Sequence, residues 1–299
     1  MIDRRKSYVD RNKSFFKKRI VKGISANESE VVIHNFIGFF KDLFRQMQED
    51  KIVQLGIRGK VILEIGCYNG YLEIELVERG SKYAIGVDIN PFNLGTAAKM
   101  ENLLLPKFLI LKDLDTQKIL EAKSRVDFLC SNALFLPFKE RCFDIVICSQ
   151  ILEHVQTPEE ILNEIRRVLR SDGKLFVSVP NRFCFRETHN APAFLHWLPY
   201  KFWVEHVYSH VWKSEKSDKR RPTWFVYRFY TRFLLRNQLI ESGFKVIALA
   251  EAQYVPSSLY ALIRTRWIRT ILLILNQVGE KLPFLRHLGA GIIAIASRP

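Results

Sequence analysis

The stretch from Lys60 to Gly80, KVILEIGCYNGYLEIELVERG, limits what this chain can fold into more than any other. Its VILEI run is apolar and rich in β-formers, which reads as a buried strand, and it stops at a turn bracketed by Gly66 and Gly70. The following YLEIELVERG carries a helical pattern. Strand, glycine turn and helix in that order let a ligand approach bare backbone, because glycine has no Cβ, and the helix N-terminus adds unpaired N–H donors. A second strand, YAIGVDI, holds Asp88 near its end. An acid about 20 residues beyond such a turn sits where it can accept both ribose hydroxyls of a nucleoside.

Alternating units continue along the chain. VDFLCSNA and FDIVICSQ read as strands three and four. After the loop carrying His154 comes a helix capped near Thr157, TPEEILNEIRRVLR, ended by SDG, and then strand five, KLFVSVPN. A helix, YTRFLLRNQLIESG, a strand, FKVIALAEA, and a last strand, GAGIIAIASRP, close the chain. This alternation argues for a parallel sheet with helices on both faces.

Four regions follow from the pattern. Residues 1–50 are a basic arm and a helix whose apolar positions Val32, Ile33, Phe36, Phe40, Leu43 and Phe44 recur at helical spacing. Residues 51–181 form the nucleoside-binding core, with a longer connection over 103–125. Residues 182–227, rich in aromatics, His and Pro without a sustained period, read as an insertion or lid and an acceptor region. Residues 228–299 complete the core and carry a basic amphipathic insertion at 257–287.

The net charge of +15 sits on the appended segments: +7 on residues 1–24, +6 on 213–236 and +5 on 257–299, leaving −3 for everything else. Such a layout suits a polyanionic partner, phosphate-bearing lipid or nucleic acid. The stretch LYALIRTRWIRTILLIL is broken by Arg264, Arg266 and Arg269, so it is too short to span hydrocarbon. It has the make-up of a helix lying in a membrane interface with Trp267 at the boundary. The N-terminal residues lack the apolar run of a secretory signal, and the five cysteines, Cys67, Cys130, Cys142, Cys148 and Cys184, contain no CxxC pair. They read as reduced residues of a cytoplasmic protein, peripheral to a membrane surface if the basic segments dock there.

Asp88 and the glycine turn alone leave two ligands open, a dinucleotide or S-adenosylmethionine. The set VILEIGCYNG, GVDI, SNALFLPFKERCFDIVICSQILEHV and PEEILNEIRRVLRSDGKLFVSVPN, with LIESGF and IIAIASRP, resembles the class I S-adenosylmethionine-dependent methyltransferases, in the branch of small-molecule, quinone and glycolipid enzymes. The resemblance covers most of residues 55–299 outside the two insertions. It implies an α/β, Rossmann-like, doubly wound, mostly parallel sheet with an antiparallel final strand, and S-adenosyl-L-methionine as cofactor. It further implies that Glu64 contacts the methionine moiety while Gly66 and Gly70 shape the turn. Asp88 would bind the ribose with Ile89 against the adenine, Asn132 and Ala133 would face the adenine amino group, and Gln150 the methyl end. Two positions depart from the pattern: Tyr68 stands at the middle glycine of the turn, and Asn132 replaces an Asp.

The resemblance implies an enzyme that transfers a methyl group to a small, lipid-linked or glycan-type acceptor, since THNAPAFLHWLP is similar to a segment of methyltransferase-like proteins of cell-surface polysaccharide or lipid-linked glycan synthesis. An RNA methyltransferase is the alternative, disfavoured by the lack of an RNA-binding module, and a non-catalytic cofactor-binding relative is a third. An oxygen or nitrogen acceptor is helped by a base, for which histidine is suited. His154, His189 and His196 are the candidates, with Glu187 behind them. His206 and His210 stand at i, i+4 spacing beside Glu205, but no further ligand cluster completes a metal site, so none is assigned.

Overall fold

The computed structural model describes residues 52, 54–68, 70–91, 93–94, 124–184, 197, 226–252 and 291–299, all within the unit Gln48–Pro299. The basic arm and first helix, nearly all of the 182–227 insertion and the amphipathic stretch at 257–287 lie outside these residues.

Seven strands make one sheet in the order β3-β2-β1-β4-β5-β7-β6. They are β1 (Val61–Ile65), β2 (Tyr83–Asp88), β3 (Val126–Cys130), β4 (Phe143–Ser149), β5 (Leu169–Pro180), β6 (Lys245–Ala252) and β7 (Gly291–Ser297). The first five pair in parallel, and β7 runs antiparallel between β5 and β6. The Rossmann-like sheet with an antiparallel last strand is therefore present. Consecutive residues Ile62 and Leu63 of β1, and Val146, Ile147 and Cys148 of β4, are all fully buried. That two-sided burial is why these strands read as unbroken apolar runs rather than alternating ones.

Three helices are described: α1 (Tyr71–Glu78), α2 (Pro158–Val168) and α3 (Arg232–Glu241). In α2 the buried residues Ile161, Leu162, Ile165 and Val168 form one face. Burying such a side chain stabilises the fold by about 1.5–3 kcal/mol. Pro158 occupies a first-turn position, where its missing N–H costs nothing, and Thr157 marks the boundary without a side-chain cap bond. At α3, Thr231 does cap, accepting from Leu234 N–H at 3.1 Å.

The strand order turns outward in opposite directions from β1 and β4. Their carboxyl ends thus flank the topological switch point, the crevice where doubly wound sheets bind ligands. Two boundaries differ from the sequence expectation. Strand three ends at Cys130, leaving Asn132 and Ala133 in the loop beyond it. Strand five begins at Leu169, so SDG is not a stop between helix and strand but an irregular part of β5 in which Asp172 has φ 61°. The terminal strand holds it there: Asp172 N–H donates to Arg298 O and Arg298 N–H to Gly173 O, both at 3.0 Å.

Candidate cofactor site

The glycine turn is latched to the end of β2. Gly66 and Cys67 N–H both donate to Val87 O, at 2.7 and 3.1 Å. Tyr68 N–H donates to Asp88 Oδ2 at 3.1 Å, while Asn90 N–H reaches Oδ1 at 2.8 Å and Asn93 Nδ2 reaches Oδ2 at 3.2 Å. Asp88 therefore does more than the ribose role implies, because its buried carboxylate ties the turn to the segment after β2. A carboxylate offers about four acceptor positions, so these three bonds leave room for a further donor.

Gly66 has φ 79° and Gly70 φ 72°, conformations that disfavour a side chain. A Cβ at Gly66 would also strike the Ile151 side chain. Tyr68 answers the question raised by the missing middle glycine: it takes φ 47°, so the backbone keeps the left-handed path. That conformation costs about 1–2 kcal/mol for a residue with a Cβ. The ring is 54% exposed, and it does not fill the core beneath the turn. Ile89 is 60% exposed at the same edge, accessible to a ring laid against it.

Beneath the turn lie two buried acids. Glu64, near the end of β1, and Glu73, in the first turn of α1, are 8% and 0% exposed. Among the described residues, Glu64 Oε2 and both oxygens of Glu73 meet no hydrogen-bond donor. Burial raises the Glu64 carboxyl well above the usual range, with the charges of Glu73 and Asp88 adding to it. Burial likewise pushes Glu73 up to about 7, with the charge of Asp88 adding to the rise. Cys67, buried beside them, has its thiol raised by burial first and then by the three carboxylates, which makes it an inert neutral thiol. Glu73 escaped the sequence reading because an acid in a first helical turn is ordinarily a complement to the helix dipole.

The loop after β3 forms the opposite wall. Asn132 is exposed, and its Oδ1 accepts Leu134 N–H at 3.0 Å, so the carbonyl expected to meet an adenine is partly used by its own loop. Residues Glu164 and Arg167 of α2 clamp this loop, and nothing in their spacing marked them beyond an i, i+3 pair. Arg167 Nη1 donates to Phe138 O at 2.8 Å and Nη2 to Leu136 O at 2.9 Å. Its Nε and Nη2 also hold Glu164 at 2.8 and 2.7 Å, and Glu164 Oε1 accepts Leu136 N–H at 2.8 Å.

Gln150 follows β4 in a left-handed conformation, φ 55°, with its N–H on Ser178 O at 2.8 Å and Nε2 on Ser178 Oγ at 3.3 Å. His154 closes the short 3-10 turn Leu152–His154, its Nε2 3.8 Å from Oε1 of the fully buried Glu153. The structure thus brings Glu64, Gly66, Tyr68, Gly70, Asp88 and Ile89 to one end of the sheet, with Asn132, Ala133, Gln150 and His154 following strands that end at the same edge. His189, His196, Glu187, His206 and His210 lie outside the described residues.

A sheet with this switch point and this turn is the fold of the class I S-adenosylmethionine-dependent methyltransferases. A family model for the methyltransferase domain matches residues 39–249, and the chain belongs to that family. Its cofactor is S-adenosyl-L-methionine, and a buried Glu64 oxygen without a donor fits that molecule's ammonium group. The chain is 30% identical over 128 residues to a ubiquinone biosynthesis O-methyltransferase of Idiomarina loihiensis, covering 42% of this chain and 45% of the relative. It is 52% identical over 54 residues to an uncharacterised protein of Methanocaldococcus jannaschii, 18% of this chain and 24% of that one. These matches span less than half the length of the curated relatives. Among solved structures, an S-adenosylmethionine-dependent methyltransferase from Mesorhizobium loti aligns with TM-score 0.50 at 16% identity, over 81% of this chain and 92% of that one, a likeness of fold.

Proposed function

We propose that this chain transfers a methyl group from S-adenosyl-L-methionine to a small, lipid-linked or glycan-type acceptor bound along the carboxyl edge of β4 and β5. The observation that carries the acceptor class is a groove of about 560 Å³ beside that edge, where β5 and β6 end, within the range of small-molecule sites. Its walls include Phe183 and Phe233, 47% and 72% exposed, with Arg232, Arg236 and Glu251 between them. Arg232 faces Glu251 at 3.4 Å, whereas Arg236 makes no hydrogen bond or ion pair among the described residues. Exposed rings beside an uncompensated cation suit an apolar body with one anionic group. Strand spacing sets the groove roughly 5–15 Å along the edge from the end of β4. A smaller cavity of about 200 Å³, lined by Lys60, Asp144 and Gly173, lies at the amino ends of the strands, away from the switch point.

When bound, the cofactor supplies a methyl group already activated on a sulfonium, so the protein's work is alignment. Glu64 takes the methionine end, Asp88 the ribose, and the clamped loop carrying Asn132 the adenine. Gln150, fixed by Ser178, borders the reacting centre, and His154, oriented beside Glu153, removes the acceptor proton. The basic segments hold the enzyme to an anionic membrane surface, an attraction that weakens as salt rises.

Incubation with methyl-labelled cofactor and a fractionated lysate tests the reading. Label is expected in the organic-extractable or lipid-linked glycan fraction. Label in RNA would replace this acceptor class with nucleic acid, and cofactor binding without transfer into any fraction would make the chain a non-catalytic relative.

A further inference from the structure

Three donors hold Asp88, but none reaches the acids directly beneath it. Glu64 and Gly86 are register partners on β1 and β2, and Glu73 packs against the same spot from α1. A Cβ at Gly86 would lie 2.5 Å from Glu73 Oε1, and 2.7 and 2.8 Å from Cys67 Cβ and Sγ. The Glu73 carboxyl therefore occupies the space that a side chain at position 86 would take. Because Gly86 is the register partner of Glu64, that carboxyl shares a buried spot with the Glu64 side chain, close enough for a direct contact between the two acids. Two ionised carboxylates bring only acceptors to such a contact, so a hydrogen bond exists there only when one of them keeps a proton. Leaving both ionised and buried would cost far more than holding that proton.

We propose that Glu73 is a positioning residue of the cofactor site: it shares one proton with Glu64 beneath the glycine turn, and a cation placed against Glu64 drives that proton to solvent. The inference rests on Glu64 being the residue that meets the cofactor's ammonium. The groups facing the pair are Asp88 on β2, whose charge adds to the cost of a second negative charge, and the neutral thiols of Cys67 in the turn and Cys148 on β4. On Glu73's own helix, Glu75 is turned to Arg79 at 2.7 Å and does not share the contact. Balance is simple: the pair begins with one proton and one negative charge, and binding of the cation releases the proton to buffer.

The sign follows from linkage. A site that loses a proton on binding gains affinity as pH rises, by at most tenfold per pH unit for one proton. Without ligand the relation inverts. The folded pair holds a proton that the unfolded chain gives up above the ordinary carboxylate range, so its contribution to stability is present at low pH and lost as pH climbs toward neutrality and through the raised titration.

S-Adenosylhomocysteine titrated calorimetrically at pH 6, 7 and 8, in buffers of different ionisation enthalpy, reads the released proton directly. The wild-type chain is expected to release a substantial fraction of one proton near neutral pH and to bind more tightly as pH rises. Glu73→Gln supplies a permanent N–H donor to Glu64 and removes a neighbouring negative charge. It is expected to bind with at most half the wild-type release at pH 7. Wild-type binding with no buffer dependence across this range, or equal release from Glu73→Gln, would overturn the proposal, and the wild-type result stands even if the variant does not fold. No binding at any pH would instead remove the cofactor assignment on which the proposal rests.

Discussion

Arg167→Met isolates the clamp that shapes the far wall of the cofactor site. Methionine keeps most of the apolar stem while removing the guanidinium that donates to Leu136 O and Phe138 O at 2.9 and 2.8 Å. Bonds to a charged donor contribute about 1.5–3 kcal/mol each. The side chain is 31% exposed, which places both at the low end, and the partly exposed Glu164 pair adds at most about 1 kcal/mol. The expected destabilisation is about 3 kcal/mol. With a urea m-value near the upper end of its usual range, about 3 kcal/mol/M, the unfolding midpoint should fall by about 1 M. Arg167→Lys should recover less than half of that, since one ammonium cannot reproduce the fork that spans both carbonyls and the carboxylate. A midpoint shift below about 0.3 M for Arg167→Met would refute the clamp as a stabilising device, because the carbonyls would then be equally well served by water.

Two further outcomes are expected. Tyr230→Phe removes the donor 3.0 Å from Gln238 Oε1, in a chain that continues from Gln238 Nε2 to Glu159 at 2.7 Å; with Tyr230 wholly buried, chemical unfolding should register a loss of about 1–2 kcal/mol. An unchanged midpoint would mean that water serves Gln238 as well as the phenol does. Gly66→Ala forces a Cβ into the left-handed conformation and against Ile151, so binding of S-adenosylhomocysteine should weaken at least about tenfold, equivalent to roughly 1.4 kcal/mol. Wild-type affinity in that variant would show that the turn relaxes without reshaping the site.

The strands were legible because their burial on both faces leaves an unmistakable trace: VILEI and FDIVICS have almost no polar interruption. The turn and Asp88 were legible because glycine conformation and strand-end acids have fixed spacing. What escaped the sequence is whatever depends on partners distant along the chain. SDG reads locally as a turn, yet Asp172 and Gly173 are held in β5 by Arg298, far along the chain but beside them in the fold. Arg167 looks like an ordinary last-turn cation until the loop at 136–138 folds against it. Glu73 is similarly hidden, since its helix position supplies a bland explanation and only the register of Glu64 against Gly86 brings the two acids together. Tyr68 shows the opposite case, a departure from pattern that the backbone absorbs by adopting φ 47° without glycine.

A crystal structure of the chain with S-adenosylhomocysteine tests the central claim most directly. It should place the ligand across the carboxyl ends of β1 and β2, with its amino group against Glu64, its ribose on Asp88 and its adenine over Ile89. Ligand seated elsewhere, or a turn closed by the Tyr68 ring with Glu64 and Asp88 untouched, would contradict the assignment of this site.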